Sequence, residues 1–155
     1  MEIKSKDIRL VPIKDLHENP KNRNKHTKEQ IDRLCEIIEY QGFRNPIIVS
    51  KRTGFIVAGH CRLKAAKKLK LKELPVLYQE FKDEDQEYSA GIADNAIASW
   101  AELEFGEIND DIADLGPDFD INMLGIKDFA IEPADKKKEK KEKKETVCPE
   151  CGHIW

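Results

Sequence analysis

The spacing of apolar residues along the first eighty positions changes several times, and each change marks an element. Ile31, Leu34, Ile37 and Ile38 recur at helical spacing behind Thr27, which forms a capping box with Gln30, and Gly42 closes the run. Pro46-Ile47-Ile48-Val49-Ser50 is a continuous apolar run of strand length. Thr53-Gly54 then turns the chain into a second strand, Gly54 to Ala58. After Gly59 the period becomes helical again, with Leu63, Ala66 and Leu69 on one face, and Leu74 to Tyr78 reads as a further strand. Ile8 to Ile13 alternates weakly and contains Pro12, which cannot donate a ladder hydrogen bond, so it is a short or edge strand. The order strand, helix, hairpin, helix, strand predicts an α/β fold of the mixed α+β kind, a small mixed sheet packed with helices.

The second half continues the pattern in weaker form. Asp83 and Gln86 again have capping-box form and open a helix to about Trp100, with Ile92 and Ala96 on one face and Asp94-Asn95 in its middle. Ile108, Ile112 and Leu115 outline a short helix that ends at Gly116-Pro117, and residues 118–125 supply one more turn. Beyond them the composition shifts abruptly, and residues 136–145 are all Lys or Glu. The chain therefore divides into a domain over 1–125, an acidic-to-Lys/Glu-rich linker over 126–146 and a tail over 147–155 carrying a Cys-x-x-Cys knuckle.

Charge adds what periodicity does not show. The net charge of −3 hides a division: residues 1–82 carry 19 Lys and Arg against 10 Asp and Glu, and residues 83–135 carry 1 against 16. A basic half of this kind favours polyanionic partners, nucleic acid among them, and the acidic half would shield it or mimic a polyanion. With 39% hydrophobic and 37% charged residues, the 155-residue chain buries a modest core. No apolar run approaches membrane-spanning length and Met1-Glu2-Ile3-Lys4 opens no secretory signal, so the expectation is a cytoplasmic protein without a membrane partner. Four cysteines in such a chain argue against a disulfide framework, and Cys35 and Cys61 read as structural residues of helices.

Candidate chemistry gathers at the Gly59 turn. A strand passing at once into a helix leaves unpartnered N–H groups at the positive end of the helix dipole, and His60, Arg62 and Lys64 crowd its first turn. An anion relieves that crowding, and a phosphate group is the expected ligand; the alternative is a corner whose cations are simply solvated. The loop from His17 to His26, with Arg23 and His26, is a second candidate phosphate contact or a solvated basic loop. Asp94-Asn95 are poor mid-helix residues, which implies either surface exposure or a ligand such as a metal-bound phosphate. In the tail, Cys148 and Cys151 have the spacing of half a zinc ribbon. Two further ligands would have to come from a partner chain or a symmetric dimer; the alternative is a decayed remnant of such a site.

Taken together, Asn19-Pro20 through His26, the capped helix, Asn45-Pro46-Ile47-Ile48-Val49, Ala58-Gly59-His60-Cys61-Arg62-Leu63-Lys64-Ala65-Ala66 and Leu74-Pro75-Val76 resemble the ParB N-terminal domain of the ParB and sulfiredoxin superfamily. The resemblance spans roughly residues 7–125, includes Ile92-Ala93-Asp94-Asn95, and is nearest to phage forms and forms associated with DNA methyltransferases. It implies a DNA-associated binding or regulatory module that holds a CTP-like nucleotide with Mg2+, or DNA phosphate. Gly59, His60 and Arg62 would cradle the phosphates, with Arg23 and His26 in support and Asp94 and Asn95 toward magnesium. His60 replaces the glutamate that the family uses for metal binding and hydrolysis. The alternative class is a metal-dependent nuclease, nucleotide hydrolase or phosphotransferase with His60 as general base or metal ligand. Sulfiredoxins carry Gly-Cys-His-Arg in this turn; here the thiol of Cys61 falls one position later, away from that chemistry. Expected partners are nucleotide, DNA, a methyltransferase or other phage DNA-processing protein, and a second copy of the chain.

Overall fold

Thr27 starts the first long helix by accepting a hydrogen bond from the Gln30 amide (3.1 Å), and Asp83 does the same for the Gln86 amide (2.9 Å), so both expected caps are formed. Each is half of a reciprocal box. The Gln30 side chain meets His26 instead, and that of Gln86 accepts from the Lys82 amide. The computed structural model describes residues 7–116 and 118–126. Its elements are β1 (Ile8–Pro12), α1 (Lys28–Gln41), β2 (Ile47–Ser50), β3 (Ile56–Ala58), α2 (His60–Lys68), β4 (Glu73–Gln79), α3 (Glu84–Ala98) and α4 (Phe105–Leu115), with 3-10 turns at Ile13–Asp15 and Ile121–Leu124. The linker beyond Ile126 and the Cys148/Cys151 knuckle lie outside the described residues. No helix among the described residues is long and apolar enough to cross a membrane.

The four strands form one mixed sheet in the order β1-β4-β2-β3. β1 runs antiparallel to β4 at the edge, where Pro12 faces Glu73; β2 is parallel to β4 and antiparallel to β3. Because β4 lies between β1 and β2, the chain must carry α2 from the edge strand β3 back across β2 before β4 can pair. Leu63, Ala65 and Ala66 of α2 are fully buried by that crossing. They join Leu16, Ile47, Val49, Ile56, Leu74 and Val76 in the core. α1 packs on α2, and α3 packs on β3. The continuous apolar run of β2 is thus the run of an interior strand, and the alternation of β1 that of an edge.

The end of α2 is held without a glycine. Lys70 sits at φ +56°, its amide bonds to the Lys67 carbonyl (3.2 Å) and the Leu71 amide to the Ala66 carbonyl (3.1 Å), which is the Schellman closure. A left-handed L-residue costs roughly 1–2 kcal/mol, of which glycine would return about half after its own chain entropy is charged. Lys70 is exposed, so Lys70→Gly is expected to raise unfolding stability by about 0.5–1 kcal/mol in urea titrations. A fall in stability would show that the Lys70 side chain contributes more than its backbone strain costs.

Candidate functional site

β3 enters α2 through Gly59, at φ +104°. A Cβ there would lie 3.2 Å from Ile47 Cγ1 and 3.3 Å from Arg62 Nε, so both the backbone conformation and the space require glycine. With no side chain at the cap, the amides of the first turn of α2 receive no side-chain hydrogen bond. The Arg62 side chain folds back over this glycine and donates to the Pro46 carbonyl (2.7 Å), the sole acceptor it has among the described residues. A guanidinium has five N–H donors, so most of its hydrogen-bonding capacity is left for something else. Burial lowers the Arg62 pKa and the nearby Asp94 carboxylate acts against that.

Beside this turn lies a cleft of about 800 Å³. It is walled by α1 through Gln30, Arg33, Leu34 and Ile37, by the loop before α1 through Asn24 and His26, and by the Gly59–Arg62 turn. α3 contributes Asp94 and Asn95, and Gly125 and Ile126 close the end against Ile37. A cleft of this size lies within the range of small-molecule sites. Six of the expected residues, His26, Gly59, His60, Arg62, Asp94 and Asn95, therefore converge on one space. Arg23 is exposed on the loop, which asparagine side chains brace, and it is not among the residues that line the cleft.

His60 is only 6% exposed and its Nε2 accepts from the Asn19 amide (3.3 Å). That bond puts the ring proton on Nδ1 and ties the start of α2 to the Asn19–His26 loop. Burial pushes the His60 pKa below its ordinary value; Glu18 opposes this, and His26 and Lys64 add to it. Cys61 also borders the cleft, and burial raises its thiol, against the nearby Lys64, so the thiolate is scarce. Asn95 Nδ2 donates to the Gly91 carbonyl one turn back (3.1 Å), which leaves its side-chain oxygen available beside the Asp94 carboxylate. Two such oxygens suit a hard cation that takes its remaining ligands from water and phosphate. Among the described residues no three His, Cys, Asp or Glu side chains cluster at metal-binding range.

Arg33 and Asn45 are cleft residues that sequence reasoning did not single out. Arg33 stands one helical turn after Gln30 and next to Leu34, so the stripe running from His26 was its available signal. Asn45 precedes the proline whose carbonyl holds Arg62.

Residues 1–95 match the model of the ParB N-terminal domain family. The chain belongs to that family. The ParB-like nuclease domain-containing protein YnaK of Escherichia coli (strain K12) is 35% identical over 75 residues, 47% of this chain and 85% of YnaK. Among solved structures, the C-terminally truncated chromosome-partitioning protein ParB of Caulobacter crescentus, complexed with CTP-γ-S, superposes with a TM-score of 0.60 at 29% identity. That match covers 71% of this chain and 63% of the Caulobacter chain. A Pnob8-like ParB-N domain shares the fold, with a TM-score of 0.53 at 23% identity over 74% of this chain and 49% of its own.

The buried neutral His60 of this ParB N-terminal domain makes stability depend on pH. Its folded pKa is depressed, so the contribution is complete above the unfolded value of 6.5 and is lost as pH falls from there through the folded pKa. Melting temperatures followed from neutral to acid pH are expected to drop below about pH 6.5, and His60→Asn to flatten that part of the profile. Equal slopes in the two proteins would show that His60 carries none of it.

Proposed function

We propose that this ParB N-terminal domain is a DNA-associated binding or regulatory module that holds a nucleoside triphosphate, CTP-like, with Mg2+ in the cleft. The observation that carries the reading is the convergence of the uncapped α2 start, the Arg62 guanidinium, Asp94 and Asn95 on one cleft. A purely anionic ligand would be served by the amides and Arg62 and opposed by Asp94. A polyphosphate bound with a divalent cation satisfies both signs. Asp94 and Asn95 are the residues that would hold the magnesium, which would neutralise phosphate charge there. Support comes also from the Caulobacter ParB structure, whose ligand is CTP-γ-S. A DNA phosphate would meet the same donors.

Turnover has weaker support. The name of the Escherichia coli relative includes a nuclease domain. The expected general base, however, is buried and already accepts a proton donor at Nε2. As a module, the domain would act in the cytoplasm beside DNA, with a DNA-processing partner such as a methyltransferase or with a second copy of itself. The Cys148/Cys151 pair would be half of a Zn2+ site completed by another chain. Metal analysis of the whole chain is expected to find zinc that Cys148→Ser abolishes, and equal zinc in both would remove the knuckle from consideration.

Titration calorimetry of the full chain with CTP, ATP and short duplex DNA, with and without magnesium, tests the main reading. CTP with magnesium is expected to bind, and Arg62→Ala to weaken it by roughly 10- to 100-fold, as befits a charge-assisted hydrogen bond. No binding of any of the three ligands to the unaltered protein overturns the proposal. Cleavage products that disappear in His60→Ala would move the domain to the enzymatic alternative.

A further inference from the structure

α3 presents Asp94 and Asn95 to the cleft, yet it buries only one side chain among the described residues, and that side chain is the carboxylate of Glu87. Glu87 is 5% exposed. Its Oε2 accepts from the Ser50 hydroxyl (2.8 Å) and from Arg52 Nε (3.1 Å), and its Oε1 accepts from the Thr53 hydroxyl (2.6 Å). Ser50 Oγ in turn accepts from the Arg52 and Thr53 amides (3.2 and 3.4 Å). The whole turn between β2 and β3 is therefore wrapped around one carboxylate from α3. Among the described residues Arg52 is its only cationic partner, and the two hydroxyls supply the remaining hydrogen bonds.

The geometry carries this cluster to the cleft along two routes. Glu87 and Asp94 are seven residues apart, so they fall within about 20° of one another on the helix surface. Between them Gly91 lets α3 approach β3 until a Cβ would stand 3.2 Å from the Val57 carbonyl. On the other route, the turn held by Glu87 continues as β3 straight into Gly59 and Arg62. With little apolar burial along α3, the polar cluster and the glycine contact fix where Asp94 stands relative to Arg62.

We infer that Glu87 is a positioning residue for the cleft: through Ser50, Arg52 and Thr53 it sets the separation between the Asp94-Asn95 face of α3 and the Gly59–Arg62 turn. It touches no ligand itself. The inference rests on the nucleotide reading for its functional consequence, but its structural half is measurable without a ligand.

Two measurements on the full chain test it. In hydrogen exchange without ligand, Glu87→Gln and Glu87→Ala are expected to speed exchange of the α3 amides around residues 91–96 by about tenfold or more, while β4 amides keep their rates. Unchanged α3 exchange overturns the inference whether or not the protein binds nucleotide. In calorimetry with CTP, Glu87→Gln is expected to lose about tenfold in the magnesium-dependent part of the affinity and less than twofold in magnesium-free binding, with non-additivity when combined with Asp94→Asn. Equal loss with and without magnesium, or strict additivity with Asp94→Asn, assigns Glu87 to general stability and overturns the positioning role. Should Glu87→Ala fail to fold, Thr53→Val removes one of the three donors and is expected to move both readouts in the same direction by a smaller amount. Absence of CTP binding by the unaltered protein would overturn the nucleotide reading alone, since the exchange result stands apart from it.

Discussion

Much of this domain follows from the absence of a side chain at one position. At Gly59 the chain leaves an edge strand and begins a helix within one left-handed residue, with Ile47 of the core 3.2 Å behind the point where a Cβ would be. The core contact fixes the depth at which α2 starts. The open side gives Arg62 room to fold back against the backbone and reach the Pro46 carbonyl. A larger residue would push the arginine out, strain the turn, or lift α2 from Ile47. Core packing and the shape of the cleft thus share a constraint, and neither can be altered alone.

His60 extends that constraint to a segment far away in sequence. Its ring is buried, and the amide of Asn19, 41 residues earlier, completes its acceptor. The loop that supplies Asn24 and His26 to the cleft is held to the start of α2 by this bond. Holding a ring neutral in such a place makes it a good brace and a poor base, because protonation would both lose the acceptor and charge a buried group. A histidine at this position therefore stiffens the corner and brings no negative charge to the cleft. On the α3 side of the cleft the side-chain oxygens are those of Asp94 and Asn95.

How much of this was legible in the sequence depended on how local each determinant is. Thr27, Asp83, Pro12 and Gly59 act on their immediate neighbours, and the caps, the edge strand and the strand-to-helix turn were readable from them. The insertion of β4 between β1 and β2 was not, because the apolar runs of interior strands do not say which strand each will pair with. Lys70 gave no turn signal, since the left-handed closure of α2 is imposed by the need to bring β4 back to the sheet rather than by the residue. Arg62, Asp94 and Asn95 were readable as candidates, but the direction of each side chain is decided by partners such as Pro46 and Gly91. Arg33 and Asn45 looked like ordinary polar positions until tertiary packing brought them to the cleft. Ser50 and Glu87 meet across 37 residues, and neither belongs to a motif.

The division of charge along the chain has a physical outcome in this arrangement. The basic half supplies Arg62 and Arg33 to the cleft, and the acidic half supplies Asp94 through α3. Lys21 of the basic half pairs with Glu84 in the first turn of α3, and Arg52 pairs with Glu87 one turn further on, so the two halves are joined by ion pairs along the same helix that reaches the cleft. An exposed pair such as Lys21–Glu84 contributes little by itself. The buried carboxylate is different, because removing its partners leaves a charge without solvation. Asp94 is less constrained: it sits on the exposed part of α3, close enough to Arg62 to oppose the effect of burial on the guanidinium, yet it has no hydrogen bond with Arg62. A direct pair would have satisfied both groups and closed the cleft. Held apart by the packing of α3 on β3, they present opposite charges to the space between them, which is the condition for a ligand that is itself an anion carrying a cation.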